Sequence, residues 1–313
     1  MTTAIYSHPD CKRHEMGQWH PECPARLQAI EDQLIASRIN SLLEHRDAPK
    51  VDVAEIRRVH TADAVARVQQ NVAALADSGG GYYPLDADTM LNEHSWNAAL
   101  RAAGAAVAAT DAVIAGELDN AFCAIRPPGH HARPSEAMGF CLFDNVAIAA
   151  KHALDVRGLQ RVAIVDFDVH HGNGTEEAFL DDPRVMMVSF FQHPFYPYSE
   201  LRQDTPHMVN VPVPAYSKGD VVRQLVTEKW LPALHAHRPE MIFISAGFDA
   251  HREDDIGQMG LVEDDYAWIT QQILGVAKQH AQGRIVSCLE GGYNLSALAR
   301  SVVAHIKVLA ELD

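Results

Sequence analysis

At 313 residues, with 47 % apolar and 21 % charged side chains, the chain can bury a large core, and a single globular domain over residues 1–313 is expected. A formal charge of −15 argues against direct nucleic-acid or anionic-membrane binding, which need a positive surface, and is compatible with attracting a cationic ligand. No apolar window approaches membrane length and Met1–His8 lacks a leader pattern. Five cysteines without Cys-x-x-Cys fit a reducing compartment, so a cytoplasmic location is expected.

Ala4–Tyr6 reads as a first strand, followed by a loop crowded with His8, Cys11, His14, His20 and Cys23. The Cys-x-x-His and His-x-x-Cys spacings resemble half of a zinc knuckle. Three prolines and the lack of a second cysteine pair favour a polar rim loop instead. Pro24 suits the first turn of a helix carrying Leu27, Ile30, Leu34 and Ile35 on its apolar stripe. Val65, Val68, Val72 and Leu75 mark a second helix, closed by Gly79–Gly81, and the alanine-rich stretch 94–116 marks a third.

From here strands and helices alternate. Residues 121–125 form a strand leading into Arg126-Pro127-Pro128-Gly129-His130-His131, and 144–156 a helix. Residues 162–165 read as a strand buried on both faces, ending in Asp166-Phe167-Asp168-Val169-His170-His171-Gly172-Asn173-Gly174. Residues 185–191 form another buried strand, leading to the aromatic, proline-rich stretch 192–198. A helix over 219–237, a strand over 241–248 ending in Asp249, a helix over 263–281, a strand over 285–289 ending in Glu290-Gly291-Gly292-Tyr293 and a last helix complete the pattern. Such alternation predicts an α/β fold with a largely parallel central sheet and helices on both faces.

The chemistry falls at one place in this pattern. His130 and His131, Asp168 and His170, Asp249, and Tyr293 each follow a predicted strand, at the sheet edge where ligand crevices form. Asp168 and His170, two apart, point the same way in extended chain and offer an oxygen and a nitrogen to one ion. With Asp249 they make three protein ligands, leaving a position open as in a catalytic metal site. His130 and His131 suit general base and acid, with Asp166 and Asn173 orienting them and making their basicities differ. Tyr293, behind two glycines, suits stabilisation of an oxyanion. A salt-bridged strand end would explain one of these clusters; it does not explain four.

Taken in order, His20-Pro21-Glu22, Arg126–His131, Gly139-Phe140-Cys141, Asp166–Gly174, Ser245–His251 and Glu290–Tyr293 resemble the zinc-dependent histone deacetylase family, including bacterial deacetylase-like and acetylpolyamine amidohydrolase members. The resemblance runs nearly end to end. It implies an arginase/deacetylase-like fold and removal of a short acyl group from an acylated amine, such as an acetyl-lysine peptide or an acetylpolyamine. Zinc, or ferrous iron in its place, would sit on Asp168, His170 and Asp249, with the pairs His130–Asp166 and His131–Asn173 and Tyr293 on the oxyanion. Gly139, Phe140, Phe195, Tyr196, Gly291 and Gly292 would bind substrate. A structural potassium is implied near Asp166, Asp168, His170, Ser189 and Phe190, and a homo-oligomer is compatible with it. Asn173 resembles the class II branch, while Ser189-Phe190-Phe191, Pro197-Tyr198-Ser199 and Asp254-Asp255 depart from the usual pattern. A two-manganese ureohydrolase of the same fold would need a second set of bridging aspartates. A non-catalytic binder would be signalled by loss of the tyrosine or a ligand, and all are present.

Overall fold

Apolar runs without polar alternation become strands buried on both faces, and the intervening amphipathic runs become the helices that cover them. The computed structural model describes residues 1–199 and 205–312. In its first half the elements are Thr3–Ser7 (β1), Ala25–Ala36 (α1), Glu44–Asp47 (β2), Val53–Ile56 (α2), Ala62–Asp77 (α3), Tyr83–Pro84 (β3), Met90–Leu91 (β4), Ser95–Ile114 (α4), Asn120–Cys123 (β5) and Asn145–Asp155 (α5). The second half adds Val162–Asp166 (β6), Asn173–Phe179 (α6), Val185–Gln192 (β7), Met208–Val213 (β8), Gly219–Leu225 (α7), Leu231–His237 (α8), Ile242–Ala246 (β9), Glu263–His280 (α9), Ile285–Leu289 (β10) and Leu295–Leu309 (α10).

Among the described residues, eight strands form one sheet in the order β2-β1-β5-β10-β9-β6-β7-β8, and every neighbouring pair is parallel. A separate antiparallel hairpin pairs β3 with β4. Two sets of helices flank the sheet: α4 with α5, and α1, α10, α9 and α8, each packed on the next. This is the arginase/deacetylase-like arrangement expected from the motifs. No helix among the described residues is long and apolar enough to cross a membrane.

The order of strands positions the site. β5, β10, β9 and β6 are consecutive in the sheet, so the four polar strand ends meet at one edge. Chain alternation then divides labour within each strand end. Phe167 and Phe248 are fully buried, their rings 5.7 Å apart and each within 6 Å of Tyr266, while the neighbouring Asp166, Asp168 and Asp249 face the site. Burying those aromatic rings anchors the residues that precede two carboxylate ligands.

Several expectations need correction. The segment from His8 to Cys23 is not simply a polar rim, since Cys11, His14 and Glu22 have no exposed surface. Glu22 goes inside because Arg126 and Arg26 meet its carboxylate there, and His14 Nδ1 pairs with the Ser95 hydroxyl at 2.8 Å. Ile35, assigned to the apolar stripe of α1, is exposed; Leu27, Ile30 and Leu34 are buried, together with Arg26. The helix over 219–237 is continuous, but its middle, Val226–Trp230, widens to a π turn between α7 and α8. The edge strands β2 and β8, the β3–β4 hairpin, and the short helices α2 and α6 carry no periodic signal and were not expected.

Candidate active site

Asp168 and His170 leave the end of β6, and Asp249 leaves the end of β9, the strand paired directly with it. Their ligand atoms lie within 4.8 Å of one another, and all three side chains are buried. The backbone consumes some of their capacity. Asp168 Oδ1 accepts the His170 backbone N–H at 2.9 Å and lies 2.9 Å from His170 Nδ1, Asp168 Oδ2 accepts the Gly291 N–H, and Asp249 Oδ1 accepts the Val169 N–H. Asp249 Oδ2 is left without a hydrogen-bond partner although it is buried and 3.2 Å from His170 Nδ1.

Such an orphaned carboxylate oxygen is costly unless a cation meets it. The electrostatics say the same. Burial and the Asp168 charge push Asp249 up to about 7. Burial works against a charged His170, yet the carboxylates of Asp168 and Asp249 lift it to about 9. A β-carbon at Gly291 would strike both carboxylates, so only glycine leaves the space between them open. Two carboxylates and one imidazole converging on this space fit a divalent metal with an open position. Among the described residues this is the single such cluster, which leaves a two-metal ureohydrolase site without its second ligand set.

The paired histidines sit beside it with different environments. His130 Nδ1 donates to Asp166 Oδ2 at 2.9 Å, and His131 Nδ1 donates to the Asn173 amide oxygen at 2.8 Å. Burial opposes charge on both. For His130 the Asp168 and Asp166 carboxylates overcome it and hold the imidazole well above its ordinary value. For His131 the neighbouring His130 and His170 reinforce burial, and it lies well below. The two imidazoles thus differ in basicity, His130 favouring its charged form and His131 its neutral form.

Above this floor a tunnel of about 230 Å³ is lined by Asp88, His131, Gly139, Phe140, His170, Phe195, Tyr196, Ile256 and Tyr293. Phe195 stacks on His170 at 5.4 Å, Tyr196 meets His131 edge-on at 5.3 Å, and Phe140 meets Tyr293 edge-on at 5.8 Å. Burial and the Asp249 charge keep the Tyr293 hydroxyl protonated, so it is a donor at neutral pH. Gly291 lies against the Asp168 and Asp249 carboxylates, its N–H donating to Asp168, and the Gly292 carbonyl accepts from Arg26. Ser189 lies in register beside Asp166, its hydroxyl donating to Asn210, and the Phe190 ring stacks on Trp230 away from the tunnel.

Three supporting groups escaped the sequence reading. Glu290 Oε2 accepts the Gly129 and His130 N–H groups at 2.7 and 3.1 Å, tying the histidine loop to β10. Asp254 Oδ2 accepts the Tyr293 and Asn294 N–H groups at 2.6 and 2.9 Å and so fixes the tyrosine loop. The Glu22 carboxylate accepts from Arg126 and Arg26, all three fully buried. Arg26 also donates to the Glu290 and Gly292 carbonyls and lies over the Tyr293 ring. Glu22 and Arg126, which flank motif residues, were the available signal, but they lie 104 residues apart, and Glu290 lies 161 residues from Gly129.

The histone deacetylase domain profile matches residues 20–309. The histone deacetylase-like amidohydrolase of Pseudomonas aeruginosa is 38 % identical over 88 % of this chain and 73 % of its own length. Histone deacetylase 14 (chloroplastic) of Arabidopsis thaliana is 36 % identical over 94 % of this chain and 74 % of its own. The crystal structure of the HDA15 HD domain superposes with a TM-score of 0.92 at 33 % identity, covering 100 % of this chain and 90 % of that one. The chain thus belongs to the histone deacetylase family and is a hydrolase of the deacetylase and amidohydrolase kind.

Proposed function

We propose that residues 1–313 act as one zinc-dependent catalytic domain that removes acetyl or another short acyl group from an acylated amine such as acetyl-lysine. The observation that carries this reading is the narrow aromatic tunnel ending on the Asp168–His170–Asp249 cluster. Its walls suit an uncharged alkyl stem, and its floor presents the groups that amide hydrolysis needs. When bound there, zinc or ferrous iron would polarise the scissile carbonyl and make water a better nucleophile at neutral pH.

This chain's own residues supply the rest. Neutral His131 takes the proton of the attacking water on Nε2, with Asn173 holding its ring in the required tautomer. Cationic His130, held by Asp166, balances charge as it develops and is positioned to protonate the leaving amine. The Tyr293 hydroxyl donates to the oxyanion that forms from the carbonyl oxygen. Phe140, Phe195 and Tyr196 exclude water from the stem. A potassium ion near Asp166, Asp168, His170, Ser189 and Phe190, and a cytoplasmic setting, belong to the same reading.

The test is hydrolysis by the zinc-loaded protein of acetyl-lysine peptide, trifluoroacetyl-lysine peptide, acetylspermidine and acetylputrescine, each beside Tyr293→Phe. Peptide turnover that falls about 10²–10³-fold in kcat in the variant, the usual weight of one oxyanion donor, is expected. Turnover of the polyamines alone would reassign the substrate class. Silence across the panel with metal bound would overturn catalysis in favour of a binder.

A further inference from the structure

The tunnel wall contains a backbone conformation that its own residue disfavours. Gly139 and Phe140 occupy the two central positions of a tight turn closed by reciprocal hydrogen bonds between Met138 and Cys141, with φ of 57° and 68°. Positive φ at both positions is the pattern of a type I′ turn, which glycine and asparagine favour and an aromatic residue does not. The Phe140 ring is nonetheless held edge-on to His20 at 4.5 Å and to Tyr293 at 5.8 Å. Something outside the turn must hold it.

The partner is Thr89, a fully buried residue at the end of the β3–β4 connection. Its hydroxyl oxygen accepts the Phe140 N–H at 3.0 Å and donates its proton to Asp88 Oδ1 at 3.2 Å. Its backbone is held in turn: the Thr89 N–H donates to Asp86 Oδ1 at 2.6 Å, and its carbonyl accepts the Leu85 N–H at 2.8 Å. A hydroxyl is the smallest group that can accept from an amide and donate to a carboxylate at once. Asp88 itself lines the tunnel mouth, and its backbone carbonyl lies 3.1 Å from His20 Nε2. The hairpin, the mouth and the wall therefore converge on one oxygen atom.

We infer that Thr89 is a positioning residue that sets the tunnel wall, coupling the β3–β4 hairpin to the Phe140 turn and so tuning affinity for the substrate's alkyl stem. The inference rests on the deacylase reading for what occupies the tunnel. Thr89 itself hydrogen-bonds to neither the ligand cluster nor the histidine pair. Removing the hydroxyl leaves the Phe140 N–H without its acceptor, and the turn is then free to relax toward negative φ, swinging the ring off the stem.

The test separates wall from floor. Kd would be measured on metal-loaded protein for a hydroxamate carrying a lysine-length alkyl stem and for acetohydroxamate, in wild type, Thr89→Val, Thr89→Ala and Thr89→Ser. Thr89→Val and Thr89→Ala are expected to weaken the stem-bearing hydroxamate about tenfold and leave acetohydroxamate unchanged, with KM raised and kcat retained. Thr89→Ser, which keeps the hydroxyl, is expected to restore wild-type binding. If Thr89→Val fails to fold, the alanine and serine variants still differ by the hydroxyl alone. Equal Kd in alanine and serine variants, or equal losses for both hydroxamates, would overturn the inference. A wild type that hydrolyses no acylated amine would refute the deacylase reading, while the hydroxamate comparison would still judge Thr89.

Discussion

Replacing Glu22 by glutamine would remove the one negative charge from a buried triad and leave two guanidinium groups facing an amide. In the native protein Arg126 donates to both Glu22 oxygens, the Nη2 bond being 2.7 Å, and Arg26 donates to Oε1 at 3.0 Å. Burial alone would raise the Glu22 carboxyl, but Arg126 and then Arg26 draw it down from 4.5 to about 2. A carboxylate depressed in the folded state contributes stability that is present above its unfolded pKa and lost as pH falls from about 4.5 toward 2. The shift corresponds to about 3 kcal/mol at pH 7. Breaking a buried ion pair from one side costs roughly 3–5 kcal/mol, an independent route to the same magnitude. Thermal unfolding of Glu22→Gln at pH 7 should therefore show a Tm lower by roughly 5–10 °C. Activity should fall as well, because Arg26 also holds the carbonyls of the Tyr293 loop. Removing the exposed partner Lys278 of Glu311 is the control, expected to stay within about 0.5 kcal/mol. A Glu22→Gln loss below about 1 kcal/mol at pH 7 would refute the reasoning.

Removal of a ligand should abolish metal binding: Asp249→Ala, dialysed against zinc, should retain far less metal by elemental analysis than the roughly one ion per chain expected of wild type. Zinc should raise the Tm of wild type and not of the variant; equal metal content in both would count against the assigned ligand set. Burial holds His305 down to about 3, with Thr270 and Ser287 hydroxyls at its two ring nitrogens. It stays neutral in the folded protein while its unfolded counterpart takes a proton below about 6.5, so stability is lost as pH falls. Relative to wild type, His305→Asn should thus gain about 2 kcal/mol between pH 7 and pH 5 in urea unfolding. A gap unchanged between the two pH values would show that His305 titrates in the folded protein as it does unfolded, and would refute its being held neutral.

The elements legible in the sequence are those whose physics is local. β6, β7, β9 and β10 are apolar on both faces because both faces are covered, and such runs stand out without any partner being known. The helix faces of α3 and α10 repeat at helical spacing for the same reason. The ligand and histidine pairs were readable because two residues apart, or side by side after a strand, leaves little choice of direction. Edge strands were invisible. β2 is Glu-His-Arg-Asp, largely exposed, and becomes a strand only through main-chain pairing with β1, which no side chain announces.

What the sequence by itself determined, then, was the alternation of layers and the chemical kinds of group delivered to one sheet edge. That β5, β10, β9 and β6 stand next to one another was decided in three dimensions. So were Glu22 between two arginines, Asp254 beneath Tyr293 and Thr89 beneath Phe140. Each joins residues brought together only by strand order and loop closure. A hydrogen bond or buried charge depends on distance in space, and a chain read along its length carries no measure of that.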